Sequence, residues 1–289
     1  MTHQKMVLSR SHPFVRAQIS NNQETRQAWG HFGAHRQRVM SLTQSARRAG
    51  DESVAILGAG NCNDLDLPWL VGTFRTVHLF DLDAEALADG IAGQRITLRQ
   101  SILLHAPIDI TGSLHLLAAY LERPPTEAEF EALRKTLWIT PTPLHGVTTD
   151  VIVSDCILSQ IISSLTQLRL SPEQLIALTL AMRHQHLRTL VASLNPGGRA
   201  VFVSDLVSSD TLPELPRLEE AEWLPALRGC LQAGNFFTGL NPEMVAQTLK
   251  SDPYFRQRVV SQRFIAPWRW DISASRAYLV YACIIGVAS

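Results

Sequence analysis

Short apolar runs alternate with longer amphipathic segments through the middle of the chain, a pattern typical of a parallel α/β sheet. Each apolar run predicts a strand, and each segment between them predicts a helix. The predicted strands are 53–57, 76–81, 101–106, 150–154 and 199–204. The predicted helices are 62–72, 84–98 and 172–194, and a helical insertion is predicted at 113–149, with its helical part at 113–139.

The two ends of the chain depart from this alternation. Residues 1–50 are polar and hold no strand candidate, so they predict a helical cap that becomes helical from about Asn21. The remainder, 51–289, predicts one α/β domain. Near its end, 259–266 and 276–285 are strand candidates without a long helix between them, so we expect them to pair antiparallel at the sheet edge. The predicted fold is therefore Rossmann-like, with a mostly parallel seven-stranded sheet and an antiparallel last strand.

Composition narrows the class of protein. The 289 residues are 46% apolar and 18% charged, which is ordinary for a globular domain. Lys and Arg together number 26, as do Asp and Glu, so no overall charge favours nucleic acid or an anionic membrane. The longest apolar stretch, 277–288, is too short to span a bilayer. The N-terminus does not resemble a secretion signal.

Cysteine usage points the same way. The chain has 4 cysteines, and none of them forms a Cys-x-x-Cys pair. This distribution predicts reduced, buried thiols in a cytoplasmic protein and predicts no metal site. A small-molecule substrate fits these properties best, and a homodimer is kept open.

The most informative motif follows the first predicted strand. The apolar run at 54–57 breaks into the turn Gly58-Ala59-Gly60, and the next apolar run ends at Asp81. A buried strand, a glycine turn, a helix and a second strand ending in a carboxylate form the first half of a nucleotide-binding sheet. NAD, FAD and S-adenosylmethionine folds share such a turn, so the turn alone does not identify the nucleotide.

Three further features separate these ligands. The dinucleotide fingerprint needs a glycine at its sixth position, where this chain has Asn63. Asp109 lies between two isoleucines, where it can accept a hydrogen bond from an adenine amino group while its neighbours flank the ring. The segment 194–198 predicts a helix stop and a tight turn before a buried strand.

Taken in order, these motifs resemble the class I S-adenosylmethionine-dependent methyltransferases. The resemblance covers 53–205 and is supported by the strand candidates within 259–285. It departs from the family at two points. Ile56 stands where the family has an acid, and Cys62 replaces the third glycine. Asp64 or Asp66 is then a candidate for the displaced carboxylate near the methionine end.

The resemblance implies a role for each motif residue. The backbone of Gly58, Ala59 and Gly60 would approach the methionine moiety, and Asp81 would accept both ribose hydroxyls. Asp109 would bind the adenine amino group. Asp155, after the fourth strand, would face the place where cofactor and substrate meet.

Each acid also has a purely structural alternative. Asp83 is suited to capping the helix that starts at Ala84, which leaves Asp81 as the better ribose ligand. Asp109 could simply open the turn at 110–112, and Asp155 could cap the segment after its strand.

Methyl transfer from a sulfonium needs alignment and the exclusion of water more than a general base. We therefore expect transfer to nitrogen or oxygen, and less readily to carbon, of a small molecule. The run Ser154-Asp155-Cys156-Ile157 argues against methylation of adenine bases or glutamine amides, which use an Asn-Pro-Pro-Tyr-like run there. We expect the acceptor pocket between the N-terminal helix, the 113–149 insertion, the loop after Asp155 and Asn235-Phe236-Phe237.

Several side chains are candidates for that pocket. His31, His35 and Arg38, at i, i+4 and i+7, are predicted to share one helix face, and the alternative is a solvated polar face. Ser159 and Gln160 are candidates for hydrogen bonds to the substrate, and His31, His35 and Gln160 are the catalytic candidates.

Other histidines and tryptophans are weaker candidates. His184 and His186 lie two positions apart, so we expect at least one to be exposed. Trp268 and Trp270 would share one face of a strand, as core packing or as an aromatic wall for the acceptor.

Two alternatives to a methyltransferase remain at this stage. The altered glycine loop keeps open a non-catalytic protein that binds the cofactor, or an assembly partner, on the same fold. An NAD(P)-dependent oxidoreductase is disfavoured by Asn63.

Overall fold

The computed structural model describes residues 9–96, 99–139, 144 and 146–289. Parts of the predicted cap, of the predicted helix 84–98 and of the insertion lie outside this range. The strands are Ser53–Leu57 (β1), Thr76–Phe80 (β2), Ile102–His105 (β3), Thr149–Asp155 (β4), Leu194–Ser208 (β5), Val259–Asp271 (β6) and Ala277–Val287 (β7). The helices are Pro13–Thr25 (α1), Gly33–Ala46 (α2), Leu67–Thr73 (α3), Ala84–Gly93 (α4), Leu114–Leu117 (α5), Glu127–Ile139 (α6), Ile157–Leu165 (α7), Pro172–Ala192 (α8), Glu220–Ala233 (α9), Pro242–Ser251 (α10) and Pro253–Arg256 (α11). Within the described residues, no helix combines the length and apolarity needed to span a membrane.

The strands form one seven-stranded sheet in the order β3-β2-β1-β4-β5-β7-β6. Strands β1 to β5 pair in parallel, and β7 runs antiparallel to both of its neighbours, β5 and β6. This is a Rossmann-like α/β fold with a mostly parallel seven-stranded sheet, so the predicted fold class is confirmed. The two C-terminal strands pair antiparallel as expected, and β7 inserts between β5 and β6.

The central strand β1 shows why its sequence is uniformly apolar. Val54 and Ile56 belong to one hydrophobic cluster, whereas Ala55 and Leu57 belong to another. Alternate side chains of a strand point to opposite faces, so both faces of this strand are covered by helices. Val39 of α2 joins the first cluster, so this N-terminal helix packs on the same core as the sheet.

Helix boundaries differ from the prediction where local capping decides them. Helix α1 begins at Pro13, well before Asn21, because proline fits the first helical turn and the His12 side chain caps the N-terminus. Helix α3 begins only at Leu67, because Asp66 caps it there by accepting a hydrogen bond from the Trp69 N–H.

The predicted turn at 194–198 is wrong, because these residues already belong to β5. Gly197 permits a left-handed backbone conformation, and Gly198 permits a close contact with the neighbouring strand. Gly197 has a φ of +77°, and a Cβ at Gly198 would lie 2.8 Å from the carbonyl oxygen of Asp150 on the neighbouring strand. A side chain at Gly198 would therefore collide with the neighbouring backbone, and glycine permits the pairing.

Candidate functional site

The glycine turn and Asp81 are joined by backbone hydrogen bonds. Gly58 and Gly60 have φ values of +76° and +45°, which glycine adopts readily. The Gly60 N–H donates to Asp81 Oδ2 at 2.7 Å, and the Asp83 N–H donates to Asp81 Oδ1 at 2.7 Å. Burial raises the pKa of Asp81 to about 6, and these bonds oppose the rise. Asp81 therefore fixes the turn against the end of β2.

Helix α1 covers this turn from the N-terminal side. Asn61 Nδ2 donates to the Asn22 carbonyl at 2.6 Å, and Asn22 Nδ2 donates to Asp83 Oδ2 at 3.2 Å. A Cβ at Gly60 would lie 3.0 Å from Asn22 Oδ1. Asn22, which our sequence analysis missed, thus links the cap to the turn.

Cys62 and Asp83 both take part in the backbone geometry beside the turn. Cys62, which takes the place of the third family glycine, has a left-handed φ of +55°. Asp83 caps α4 by accepting hydrogen bonds from the Glu85 and Ala86 N–H groups, so its predicted structural role is confirmed.

Asp109 performs the structural role that was its alternative. Its Oδ1 accepts from the Thr111 N–H at 2.9 Å and from the Thr111 hydroxyl at 2.7 Å, and its Oδ2 accepts from the Leu114 N–H at 2.8 Å. It also lines a narrow cavity of about 50 Å³ with Asp81, whose other walls include Phe14, Leu82, Ile108 and Ile110. The apolar walls and two carboxylates suit a flat heterocycle, and adenine binding by Asp109 stays a prediction.

A larger cavity of about 590 Å³ adjoins the first and extends from the glycine turn across the ends of β4 and β5. Gly58 and Gln160 line both cavities. Its polar walls include Asp64, Asp155 and Asp205, and its aromatic walls are Phe32, Phe237, Trp270 and Tyr278. The insertion contributes Leu114 to the smaller cavity and no wall residue to the larger one within the described chain.

His35 is the centre of a buried hydrogen-bond network beside this cavity. Its Nε2 lies 3.2 Å from Asp155 Oδ2, and its Nδ1 accepts a hydrogen bond from the indole N–H of Trp268 at 3.1 Å. Its ring stacks on Trp270 with centroids 4.5 Å apart. An Nδ1 that accepts a hydrogen bond carries no proton, so we assign the neutral tautomer, in which Nε2–H donates to Asp155.

The charge state of His35 is set by opposing effects. Burial lowers the pKa of His35, the carboxylates of Asp155, Asp64 and Asp205 raise it, and the net direction is upward. Protonation at Nδ1 would break the bond from Trp268, so the geometry favours the neutral ring despite the carboxylates. We give more weight to this hydrogen bond because it fixes a specific proton.

The acids around His35 are destabilised as carboxylates. Burial and the neighbouring Asp155 raise the pKa of Asp64 to about 7. Burial raises the pKa of Asp205 to about 6, and hydrogen bonds from the Ser159 and Cys156 side chains oppose the rise. Asp205 was missed in the sequence, although it follows an apolar run as Asp155 does. Asp155 pairs with Val203, and Asp205 lies two residues further along β5, beyond the end of β4.

The structure separates the three predicted pocket residues of the cap. His35 is buried, whereas His31 and Arg38 are exposed. The shared helix face was wrong, because α2 begins at Gly33 and His31 precedes it. A solvated face describes His31 and Arg38 but not His35. Gln160 lines both cavities as expected, and the Ser159 hydroxyl, near the larger cavity, donates to the Cys156 carbonyl at 2.9 Å.

The expectation that His184 or His186 is exposed was wrong, because both are buried. His184 Nε2 lies 3.0 Å from Asp252 Oδ2, and His186 Nε2 lies 2.7 Å from the Ser154 hydroxyl. Their polar partners explain how both faces of α8 hold histidines in the core. Trp268 and Trp270 do share one face, and both contact His35.

His35, Asp155 and Cys156 bring possible metal ligands within 4.8 Å of one another. The Trp268 donor at Nδ1 opposes this use, because a neutral imidazole that binds metal through Nε2 must carry its proton on Nδ1. Burial also raises the pKa of the Cys156 thiol, which opposes the thiolate that a metal prefers. The donor set therefore fits a hydrogen-bond network better than a metal centre.

The chain is similar in fold alone to several solved structures. No family model matches the sequence. No curated protein matches it either. The N-methyltransferase NodS from Bradyrhizobium japonicum WM9 aligns with a TM-score of 0.43 and 14% identity over 97% of this chain and 100% of that one. The plantazolicin methyltransferase BpumL, solved in complex with SAH, gives 0.46 and 13% over 96% and 91%.

A third solved structure also aligns with most of this chain. An O-methyltransferase family protein from Burkholderia thailandensis aligns with a TM-score of 0.40 and 14% identity over 98% of this chain and 64% of that one. At these scores no substrate or residue role of the three proteins is transferred to this chain.

Proposed function

We propose that the chain is an S-adenosylmethionine-dependent methyltransferase that acts on nitrogen or oxygen of a small molecule. The observation that carries the proposal is the bond between the Gly60 N–H and Asp81 at the carboxyl edge of the sheet. Open α/β sheets bind ligands at this edge, where the strand order reverses, and here that point lies between β1 and β4. Both cavities open from it.

The residues at this edge fit the cofactor. Gly58, Ala59 and Gly60 line the larger cavity, where the methionine moiety would lie. In this proposal Asp81 accepts from the ribose hydroxyls and Asp109 from the adenine amino group, and both line the smaller cavity. Asp64 Oδ1 accepts no hydrogen bond within the described chain and is available to the methionine ammonium. The narrow cavity at Phe14 and Ile108 must widen to admit adenine.

S-adenosylmethionine, when bound, supplies a methyl group on a sulfonium whose thioether is a good leaving group. The chain's own contribution is to position and to exclude water. Helix α1 covers the glycine turn, and aromatic rings wall the larger cavity, so an acceptor held there is aligned and partly desolvated. The cavity of about 590 Å³ is in the size range of small-molecule sites. The balanced charge of the chain supports the same choice.

Calorimetric titration with S-adenosylhomocysteine and with NADH tests the cofactor. We expect saturable binding of the former and none of the latter. Binding of NADH, or failure of S-adenosylhomocysteine to bind the folded protein, would contradict the proposal. Formation of S-adenosylhomocysteine from the methyl donor with a metabolite panel then distinguishes an enzyme from a non-catalytic binding protein on the same fold.

A further inference from the structure

We propose that Asp205 forms the acceptor subsite, binds a primary amine as its ammonium ion and takes one proton from it, so that the methyl acceptor is an amine. The freed nitrogen lone pair then forms the N–C bond to the methyl group, while the sulfur keeps the electron pair of the broken S–C bond and leaves as the thioether. The inference rests on the proposed function, because it names the substrate class of the same site. It starts from an unsatisfied atom. Asp205 is 5% exposed and lines the larger cavity, and its Oδ1 accepts no hydrogen bond within the part of the chain that the structure describes.

Two other cavity-lining acceptors share this property. Asp64 Oδ1 and Gln160 Oε1 are buried atoms without a hydrogen-bond partner among the described residues. An acceptor buried without a donor costs free energy, and three around one cavity require a ligand or water that brings donors. An ammonium group carries three N–H donors and no acceptor. Two ammonium groups, one on the cofactor and one on the acceptor, therefore complement this set.

The charges around the cavity also favour an ammonium group. Asp64 and Asp155 lie within 4 Å of His35 Nε2, but the Trp268 bond keeps His35 neutral. Asp205 makes no ion pair among the described residues. Arg276, at the same cavity, donates to the Tyr278 hydroxyl at 2.8 Å and lies 3.9 Å from Glu24. Carboxylates therefore outnumber free cations, and an anionic acceptor would be repelled.

The apolar part of the cavity is aromatic. The ring centroids of Trp270 and Tyr278 lie 5.7 Å apart, those of Phe32 and Trp270 lie 5.3 Å apart, and those of Phe237 and Tyr278 lie 6.3 Å apart. Aromatic faces attract cations and also pack against an apolar or aromatic substituent. The wall thus suits an amine that carries an aryl or alkyl group.

The positions of the two acids in the fold support the assignment of Asp205 to the acceptor and of Asp64 to the cofactor. Asp64 follows the glycine turn, beside the predicted methionine end. Asp205 lies on β5, and β4 separates β5 from β1. We therefore assign the cofactor's own ammonium to Asp64, and Asp205 remains for a second ligand.

The test uses the full chain saturated with S-adenosylhomocysteine and titrated with three matched probes: phenethylamine, 2-phenylethanol and 3-phenylpropanoate. We expect phenethylamine to bind at least about tenfold more tightly than the neutral alcohol or the anion. This comparison needs no variant, so misfolding cannot affect it.

The variant D205N then isolates the residue. We expect it to weaken phenethylamine binding about tenfold or more while the affinity for S-adenosylhomocysteine stays unchanged, which also shows that the variant is folded. D210N, which removes the same charge from an exposed position nearby, should leave both affinities unchanged.

Three results would overturn the inference while leaving the cofactor assignment intact. The alcohol or the carboxylate could bind as tightly as the amine, the amine could fail to bind, or D205N could bind it as wild type does. Failure of S-adenosylhomocysteine to bind wild-type protein is a different result and would end the proposed function itself.

Discussion

The carboxyl edge of the sheet has two regions whose buried acids differ in how their oxygens are satisfied. At the ends of β2 and β3, both oxygens of Asp81 and both of Asp109 accept hydrogen bonds from the protein, mostly from backbone N–H groups. At the ends of β4 and β5, Asp155 is bonded to a neutral His35, and Asp205 Oδ1 accepts no hydrogen bond within the described chain.

We call the region at the ends of β2 and β3 the prebuilt region, because hydrogen bonds from the protein satisfy its acids. The region at the ends of β4 and β5 keeps an acid oxygen, Asp205 Oδ1, that accepts no hydrogen bond within the described chain. Backbone N–H groups fix Asp81 and Asp109 whether or not a cofactor is bound, so that region is preorganised. Asp64 and Asp205, in contrast, each have an oxygen without a hydrogen-bond partner within the described chain, which costs stability. Under the two proposals above, N–H donors of the cofactor and of the acceptor would satisfy these oxygens.

His35→Ala has the largest expected effect on this comparison. It removes the partner of Asp155, leaves the Trp268 indole N–H unsatisfied and opens a cavity beside Trp270. We expect the free energy of unfolding to fall by about 3–5 kcal/mol, measured by chemical denaturation.

His31→Ala is the matched control, because His31 is exposed. Its effect should stay within about 0.5 kcal/mol. Equal losses in the two variants would show that His35 is not the centre of a buried network.

His31 and His35 also show which feature of the site could not be predicted from the sequence. The spacing of His31 and His35 was visible, but it has meaning only if both lie on one helix. The residue pattern did not show that α2 begins only at Gly33, after His31, because no side-chain cap marks this helix start. The acceptor of Trp268 lies more than two hundred positions away, on a contact created only when β6 packs beside α2.

Asp205→Asn should have the next largest effect, and with the opposite sign. The pKa of Asp205 is raised from 3.8 to about 6, so the folded protein holds this proton more tightly than the unfolded chain does. Below the lower value the carboxyl is protonated in both states and costs nothing. As pH rises to about 6, the unfolded chain ionises first and the wild-type protein loses stability.

Asparagine never ionises, so the variant avoids this loss. We expect it to be more stable than wild type by about 3 kcal/mol at pH 8 and equal to it near pH 3. Denaturation curves at both pH values measure the difference, with Asp210→Asn as the exposed control. A variant that is less stable at pH 8 would mean that the protein itself already satisfies the Asp205 carboxylate.

The prebuilt region was the more predictable one. The strands β1, β2 and β4, the glycine turn and Asp81 all follow from local patterns, namely apolar runs, glycines and an acid at a strand end. The order of motifs along the chain then implied the sheet topology. Asp205 obeys the same rule, but the predicted strand stopped at 204, and the bulged continuation of β5 was not visible in the pattern.

Asp81→Ala tests the prebuilt region. We expect the affinity for S-adenosylhomocysteine to fall about tenfold or more, roughly 1.4 kcal/mol, because a buried partner of the ribose hydroxyls and of the Gly60 N–H is lost. Calorimetry measures this, and a melting curve checks that the variant is folded. Unchanged affinity in a folded variant would refute the ribose assignment.

Asp83→Ala has the smallest expected effect and separates the two acids that follow β2. Asp83 caps α4 and accepts a bond from Asn22, so its loss should cost about 1 kcal/mol of stability. Its backbone N–H, which holds Asp81, is retained in alanine. We therefore expect the affinity for S-adenosylhomocysteine to change by less than about twofold. If Asp83→Ala lost tenfold in affinity and Asp81→Ala did not, the ribose would belong to Asp83, and Asp81 would serve only to hold the turn.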